Sequence, residues 1–175
     1  MGQNLRACRP GDEQLVIEAI EESRREIAPF GAWCHPGYSI DDARKWVDMQ
    51  VAVEAAGGIS EYLIVTDDDA LLGACGLNQI DELNRRANLG YWVRTSACGR
   101  GVATRAVKEL ARRAFETTNL ERLEIIVSVE NLASLRVAEK AGAVREGVLR
   151  SRLQLGGRAH DAVVFSIVRE AGQRA

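Results

Sequence analysis

Cys98-Gly99-Arg100-Gly101-Val102-Ala103-Thr104 is the stretch on which the reading of this 175-residue chain turns. Leu89 to Arg94, just before it, reads as a strand. From Gly101 to about Thr117 a helix follows, with Val102, Ala103, Ala106, Val107, Leu110, Ala111, Ala114 and Phe115 at helical spacing and Arg, Lys and Glu opposite. Two glycines at a strand-to-helix turn let the backbone come close to a ligand and aim its N–H groups at an anion. The helix N-terminus adds partial positive charge at the same spot. A phosphate or pyrophosphate is therefore the first ligand to consider, although such turns also serve tight packing alone.

Upstream, residues 3 to 9 read as a first strand. Asp12 is placed to cap a helix reaching about Ala28, with Leu15, Val16, Ala19, Ile20 and Ile27 as its apolar stripe. Ser39 caps a second helix, with Asp41 and Asp42 in its first turn and Ala43, Trp46, Val47 and Val51 inward, and Gly57-Gly58 ends it. The period then changes to two. Glu61 to Thr66, Leu71 to Ile80 and Arg86 to Arg94 read as strands, with Asp67-Asp68-Asp69 as a hairpin turn and Asp81-Glu82-Leu83-Asn84 as the second connection. Downstream, Glu121 to Val129 is strand-like, and Asn131 to Ala141 is a helix stopped by Gly142. Val144 to Leu155 and Ala159 to Val168 form a closing hairpin about Gly156-Gly157. The order predicts one α/β (α+β) domain over 1–175, a mixed sheet with helices on its faces.

Composition narrows the class. Apolar content of 46%, charged content of 27% and a net charge of −2 fit a globular protein without a basic excess for nucleic acid. No run is long and apolar enough to span a membrane, and the N-terminus lacks the apolar core of a signal peptide. Cys8, Cys34, Cys75 and Cys98 form no CxxC pair, and His35 and His160 are the only histidines, so no metal is expected. Scattered cysteines without a secretion signal fit reduced thiols in the cytoplasm.

Two further nucleotide classes compete for the turn. A P-loop needs a Lys followed by Ser or Thr, and none follows these glycines. The dinucleotide fingerprint finds its first two glycines in Gly99 and Gly101, with Glu121 and Glu124 at the distance of a ribose-binding acid. Thr104 replaces its third glycine, and a run of hairpin-spaced strands precedes it. A nicotinamide-dependent oxidoreductase is the minority reading.

Taken together, Leu89-Gly90-Tyr91-Trp92-Val93, the turn at 98–104, Asn131-Leu132-Ala133-Ser134, Ala138 to Ala143 and Arg145 to Arg150 resemble the Gcn5-related N-acetyltransferases, in their ribosomal-protein (RimJ/RimL-like) branch. The resemblance implies a mostly antiparallel sheet of six to seven strands, splayed at its centre, with about four helices. It also implies acetyl-CoA as donor, with no metal. The acceptor is a protein N-terminal α-amine or a small amine, and the protein is a monomer or homodimer. A CoA-binding module without catalysis is the alternative.

Residue by residue, the family's pyrophosphate pattern falls on Cys98, Gly101 and Ala103, within a backbone cradle of Cys98, Gly99, Arg100, Gly101, Val102, Ala103 and Thr104. Cys98 stands where the family carries Gln or Arg, and Arg100 or Arg94 is available to supply the missing charge. Trp92 and Val93 fall on the splayed strand that pairs with the pantetheine arm, and the Val93 N–H is placed to meet the oxyanion. Asn131 corresponds to a cofactor-binding Asn that also suits a helix cap. Ser134 lies near the thioester sulfur, as a donor to the leaving thiolate. Ala138 replaces the Tyr that serves as acid in many relatives.

The attacking amine must be neutral. An α-amine has a pKa of roughly 7.7–8.0 and needs little help from a base. Asn88 stands where the branch often carries Glu, so Glu82 or Asp81 is the expected carboxylate. Phe30, Trp33, Tyr38 and Trp46, with His35 among them, suggest an acceptor wall in which Trp33, His35 and Tyr38 bind substrate.

Overall fold

The computed structural model describes residues 2–59 and 61–170. In chain order the elements are β1 (Gln3–Ala7), α1 (Glu13–Ile27), α2 (Ile40–Ala55), β2 (Tyr62–Thr66), β3 (Leu71–Asp81), β4 (Arg86–Val93), a 3-10 turn (Thr95–Ala97), α3 (Val102–Thr117), β5 (Arg122–Ser128), α4 (Leu132–Ala141), β6 (Val144–Leu155) and β7 (Arg158–Val168). The strands form one seven-stranded sheet in the order β1-β2-β3-β4-β5-β7-β6. β1 with β2, β2 with β3, β5 with β7 and β6 with β7 are antiparallel. β4 and β5 are parallel, with Arg86–Asn88 in register with Arg122–Glu124. That ladder ends at Asn88 and Glu124, although β4 continues to Val93 and β5 to Ser128. This is the expected splay.

The chain divides into two compact units. One holds the chain up to Gly76 with Tyr91–Val102, and the other holds Leu77–Gly90 with the chain from Ala103 onward. In the first, α1 buries Val16, Ile17, Ala19 and Ile20, and α2 buries Ala43 and Val47, against Leu63, Val65, Leu71 and Ala74 of the sheet. Fully burying each Val, Leu or Ile side chain among these favours folding by roughly 1.5–3 kcal/mol. Leu15, Ile27, Trp46 and Val51, expected on the inner stripes, pack at the margin of this core. Buried Gln50 was not foreseen.

The helix ends test the capping assignments. Ser39 and Asp42 form a full capping box: the Ser39 hydroxyl serves the helix backbone, and the Ser39 N–H donates to Asp42 Oδ2 at 2.9 Å. Asp12 precedes α1 but makes no side-chain cap. Its carboxylate is taken by the Arg6 guanidinium (2.8 and 2.9 Å) and the Arg9 N–H (2.7 Å), so the expected cap is corrected. A charged bidentate partner outcompetes a neutral backbone donor.

In the second unit, α3 buries Ala106, Val107, Leu110, Ala111, Ala114 and Phe115, while Leu123, Ile125 and Val127 come from β5 and Ala162 to Phe165 from β7. Gly142 ends α4 in the left-handed conformation at φ 91°. Cys8, Cys34 and Cys75 are buried and Cys98 is exposed, all as free thiols. No helix among the described residues is long and apolar enough to cross a membrane.

Candidate active site

In the first unit, β4 ends at Val93, and the chain passes through the 3-10 turn into the glycine pair. Gly99 and Gly101 both have φ of 75°, a conformation that L side chains rarely adopt. A Cβ at Gly99 would meet nothing within 4 Å, so the loop is open on that side. Helix α3 starts at the next residue, Val102, whose carbonyl is held by Gln3 Nε2 at 3.0 Å. Two left-handed glycines thus lead directly into α3.

What fixes the segment before the glycines lies far away in sequence. Glu22 of α1 pairs with the Arg94 guanidinium and accepts from the Ser96 N–H at 2.7 Å. Ser23 Oγ accepts from the Thr95 N–H at 2.9 Å, and Glu26 accepts from the Thr95 hydroxyl at 3.1 Å. Hydrogen bonds from Arg94 and Ser96 hold the Glu22 carboxyl down at about 2. Arg94 also donates to the Leu71 carbonyl, so its charge is spent on α1 and β3. That corrects Arg94 as a substitute for the missing Gln or Arg. No sequence signal marked Glu22, because its partners lie more than seventy residues away. The Cys98 thiol turns back toward the carbonyls of Arg94 (3.5 Å) and Val93 (3.9 Å).

Gly73 lets β3 approach the end of β4. A Cβ there would fall 2.2 Å from the Trp92 carbonyl oxygen. The Trp92 ring stacks at a tilt on Trp33, with centroids 6.1 Å apart, and Trp33 meets Tyr38 edge-on at 5.8 Å. Arg24 pins this loop by donating to the carbonyls of His35 and Tyr38, both at 2.9 Å. Burial pushes the Tyr38 hydroxyl up to about 12. The structure thus brings Trp33, Tyr38 and Trp92 together. His35 lies beside Tyr38 and 3.9 Å from the Asp42 carboxylate, with half its side chain exposed.

In the second unit, Asn131 is the N-cap of α4, and its Oδ1 accepts from the Ser134 N–H at 3.1 Å. Ser134 sits in the first turn and is partly exposed. Ala138, one turn on, is fully buried and closes that position to a phenol. Asn88 donates to Asn78 Oδ1 at 2.9 Å, and its own buried Oδ1 has no partner. Asp81 is occupied by Asn84 and Arg86, whose hydrogen bonds lower its pKa, and Glu82 is exposed in the turn. Glu124 is tied to Arg86 and Arg122, and Glu121 lies in ion-pair range of Arg85 and Arg169, so neither carboxylate is set aside for a ribose.

Residues 4–144 match the acetyltransferase (GNAT) domain, and the chain belongs to that family. It is similar to YdaF of Bacillus subtilis (strain 168), provisionally named a ribosomal N-acetyltransferase. The two are 29% identical over 94% of this chain and 90% of that protein. It is also similar to the ribosomal-protein-serine acetyltransferase of Escherichia coli (strain K12), at 32% identity over 64% of this chain and 62% of the relative. Among solved structures, the ribosomal L7/L12 α-N-protein acetyltransferase RimL, in complex with coenzyme A, shares the fold with a TM-score of 0.86. Its identity is 23%, over 95% of this chain and 93% of that one. The protein is an N-acetyltransferase, which sets aside the oxidoreductase and non-catalytic readings.

Proposed function

We propose that the enzyme transfers acetyl from acetyl-CoA to a protein N-terminal α-amine, as the name of RimL indicates for that protein, or to a small amine. The observation that carries this is the pair of left-handed glycines opening directly onto the N-terminus of α3, an arrangement that suits an anion, on the residues that match the family's pyrophosphate pattern. In this reading the backbone from Cys98 to Thr104 holds the pyrophosphate, and Arg100 adds charge. Trp92 and Val93 receive the pantetheine arm, and the Val93 N–H meets the oxyanion. Asn131 contacts the arm while capping α4. Ser134 donates to the departing sulfur, whose thiol pKa near 8.5 makes it a fair leaving group. Trp33, His35 and Tyr38 line the acceptor side.

The chemistry is direct. A neutral amine nitrogen attacks the thioester carbonyl carbon, and the tetrahedral adduct collapses with cleavage of the C–S bond. The proton lost from nitrogen ends on sulfur. A mass spectrum of a Ser-headed peptide and of spermidine, each incubated with enzyme and acetyl-CoA, tests the reading. A gain of one acetyl group with release of thiol is expected. Gly101→Glu, which sets a carboxylate against the pyrophosphate on a strained backbone, should abolish both turnover and acetyl-CoA binding in a calorimetric titration. Undiminished binding by that variant would remove the cradle from the reading.

A further inference from the structure

We infer that Glu61 is the carboxylate that takes the proton from the acceptor amine, an assignment that rests on the acetyl-transfer reading above. Glu61 stands at the head of β2. Its N–H donates to Oε1 of buried Gln50 at 2.8 Å, and its carbonyl faces the Cys8 thiol at 4.0 Å. Its side chain lies across Gly76 of β3, where a Cβ would fall 2.2 Å from Glu61 Cγ. Only glycine at 76 leaves that path open.

The face of the sheet follows from the register. Leu63 pairs with Ala74 and Tyr62 with Cys75, so Glu61 and Gly76 continue the face of Leu63 and Ala74. Those two residues belong to the core against which Tyr38 and Trp92 also pack. The carboxyl of Glu61 therefore shares the sheet face of the aromatic group that lines the proposed acceptor side.

Among the described residues this carboxylate has no hydrogen-bond donor and no cation. The other candidates are all engaged or solvated. Glu22 is bound to Arg94 and Ser96, Asp81 to Asn84 and Arg86, Glu124 to Arg86 and Arg122, and Glu82 lies exposed. The Cys8 thiol at the Glu61 carbonyl is pushed up to about 12 chiefly by burial, and Glu61 is one of the carboxylates that act on it, with Asp12 and Glu54, while Arg6 acts the other way. Burial alone raises the Glu61 carboxyl above its ordinary value. A partly buried carboxylate without a partner is costly to fold around, and such costs gather at functional sites. The missing partner is supplied by an acceptor ammonium.

The proton balance is simple. Glu61 takes one proton from the ammonium and later releases it to water. The freed amine attacks the thioester, and the second nitrogen proton leaves with the thiolate as free thiol. A raised carboxyl pKa makes the stronger base for the first step.

Glu61→Gln is the test, assayed from pH 6 to 9 with whichever of the Ser-headed peptide and spermidine the native enzyme acetylates. Near pH 6.5 the variant should lose about 100-fold in kcat/KM for the amine, within the usual range for acid–base catalysis. Its acetyl-CoA affinity should be unchanged. The deficit should shrink as pH rises toward the amine's own pKa, where no base is needed. The native profile should fall as pH drops through the raised Glu61 value, and the variant should lack that limb. A deficit equal at every pH, or none, overturns the assignment while leaving the acetyl-transfer reading intact. No turnover by the native enzyme with acetyl-CoA bound overturns both. If Glu61→Gln does not fold, Glu61→Asp must keep the acidic limb at a reduced rate, and a profile without it overturns the assignment.

Discussion

Ser134 owes its place to its neighbour's side chain. Asn131 accepts from the Ser134 N–H and so fixes the first turn of α4, which carries Ser134. With Ala138 buried, no tyrosine competes for the role of donor. Ser134→Ala should therefore lower kcat about 10- to 100-fold, the usual loss for one donor to a developing charge. The Kd for acetyl-CoA should stay constant in a titration, and an unchanged kcat would take Ser134 out of the mechanism. At this scale the sequence was legible where a residue acts within its own turn, as the glycines do through their backbone and Asn131 through its side chain. It was not legible for Glu22 or Glu61, whose meaning comes from partners, present or missing, that only folding reveals.

At the scale of elements, α1 does more than fill the core. Through Glu22, Ser23 and Glu26 it holds the segment between β4 and the glycine pair. Glu22 has a carboxyl held at about 2 against an ordinary 4.5. Its folded value is depressed, so its contribution is full above the ordinary value and is lost as pH falls from about 4.5 to about 2. The pair is partly exposed, which limits its worth to about 1 kcal/mol. The Ser96 amide resonance should accordingly titrate with a midpoint near 2 and should not do so in Glu22→Gln. A midpoint at the ordinary carboxylate value would show that the tether is not formed in solution.

The elements themselves were legible because periodicity is local. The stripe of α3, the alternation of β2 to β4 and the stops at Gly57 and Gly142 each need only a dozen residues of sequence. The cap at Asp12 was misread because Arg6 and Arg9 compete for its carboxylate across a turn. The parallel pairing of β4 with β5 across the α3 crossover could not come from spacing alone.

At the scale of the whole molecule, the class of reaction was legible from five short motifs in a fixed order. The acceptor was not, because the loop proposed to line its side says by composition only that it is aromatic. β6 shows a different consequence of the sheet order. It forms an edge, and nine of its twelve residues are exposed, Val144, Val148 and Leu149 among them. A long edge strand with apolar side chains is a template for strand-to-strand aggregation. Here the exposed Arg145, Arg150 and Arg152 put like charges along that edge, so two copies meeting there repel. The colloidal stability of the protein should then depend on three arginines that no reaction step uses. Replacing all three with Gln should raise light scattering at concentrations where the native protein stays clear, and rising salt should do the same to the native protein by screening. Equal clarity of the two proteins at every salt would assign the solubility to other surfaces.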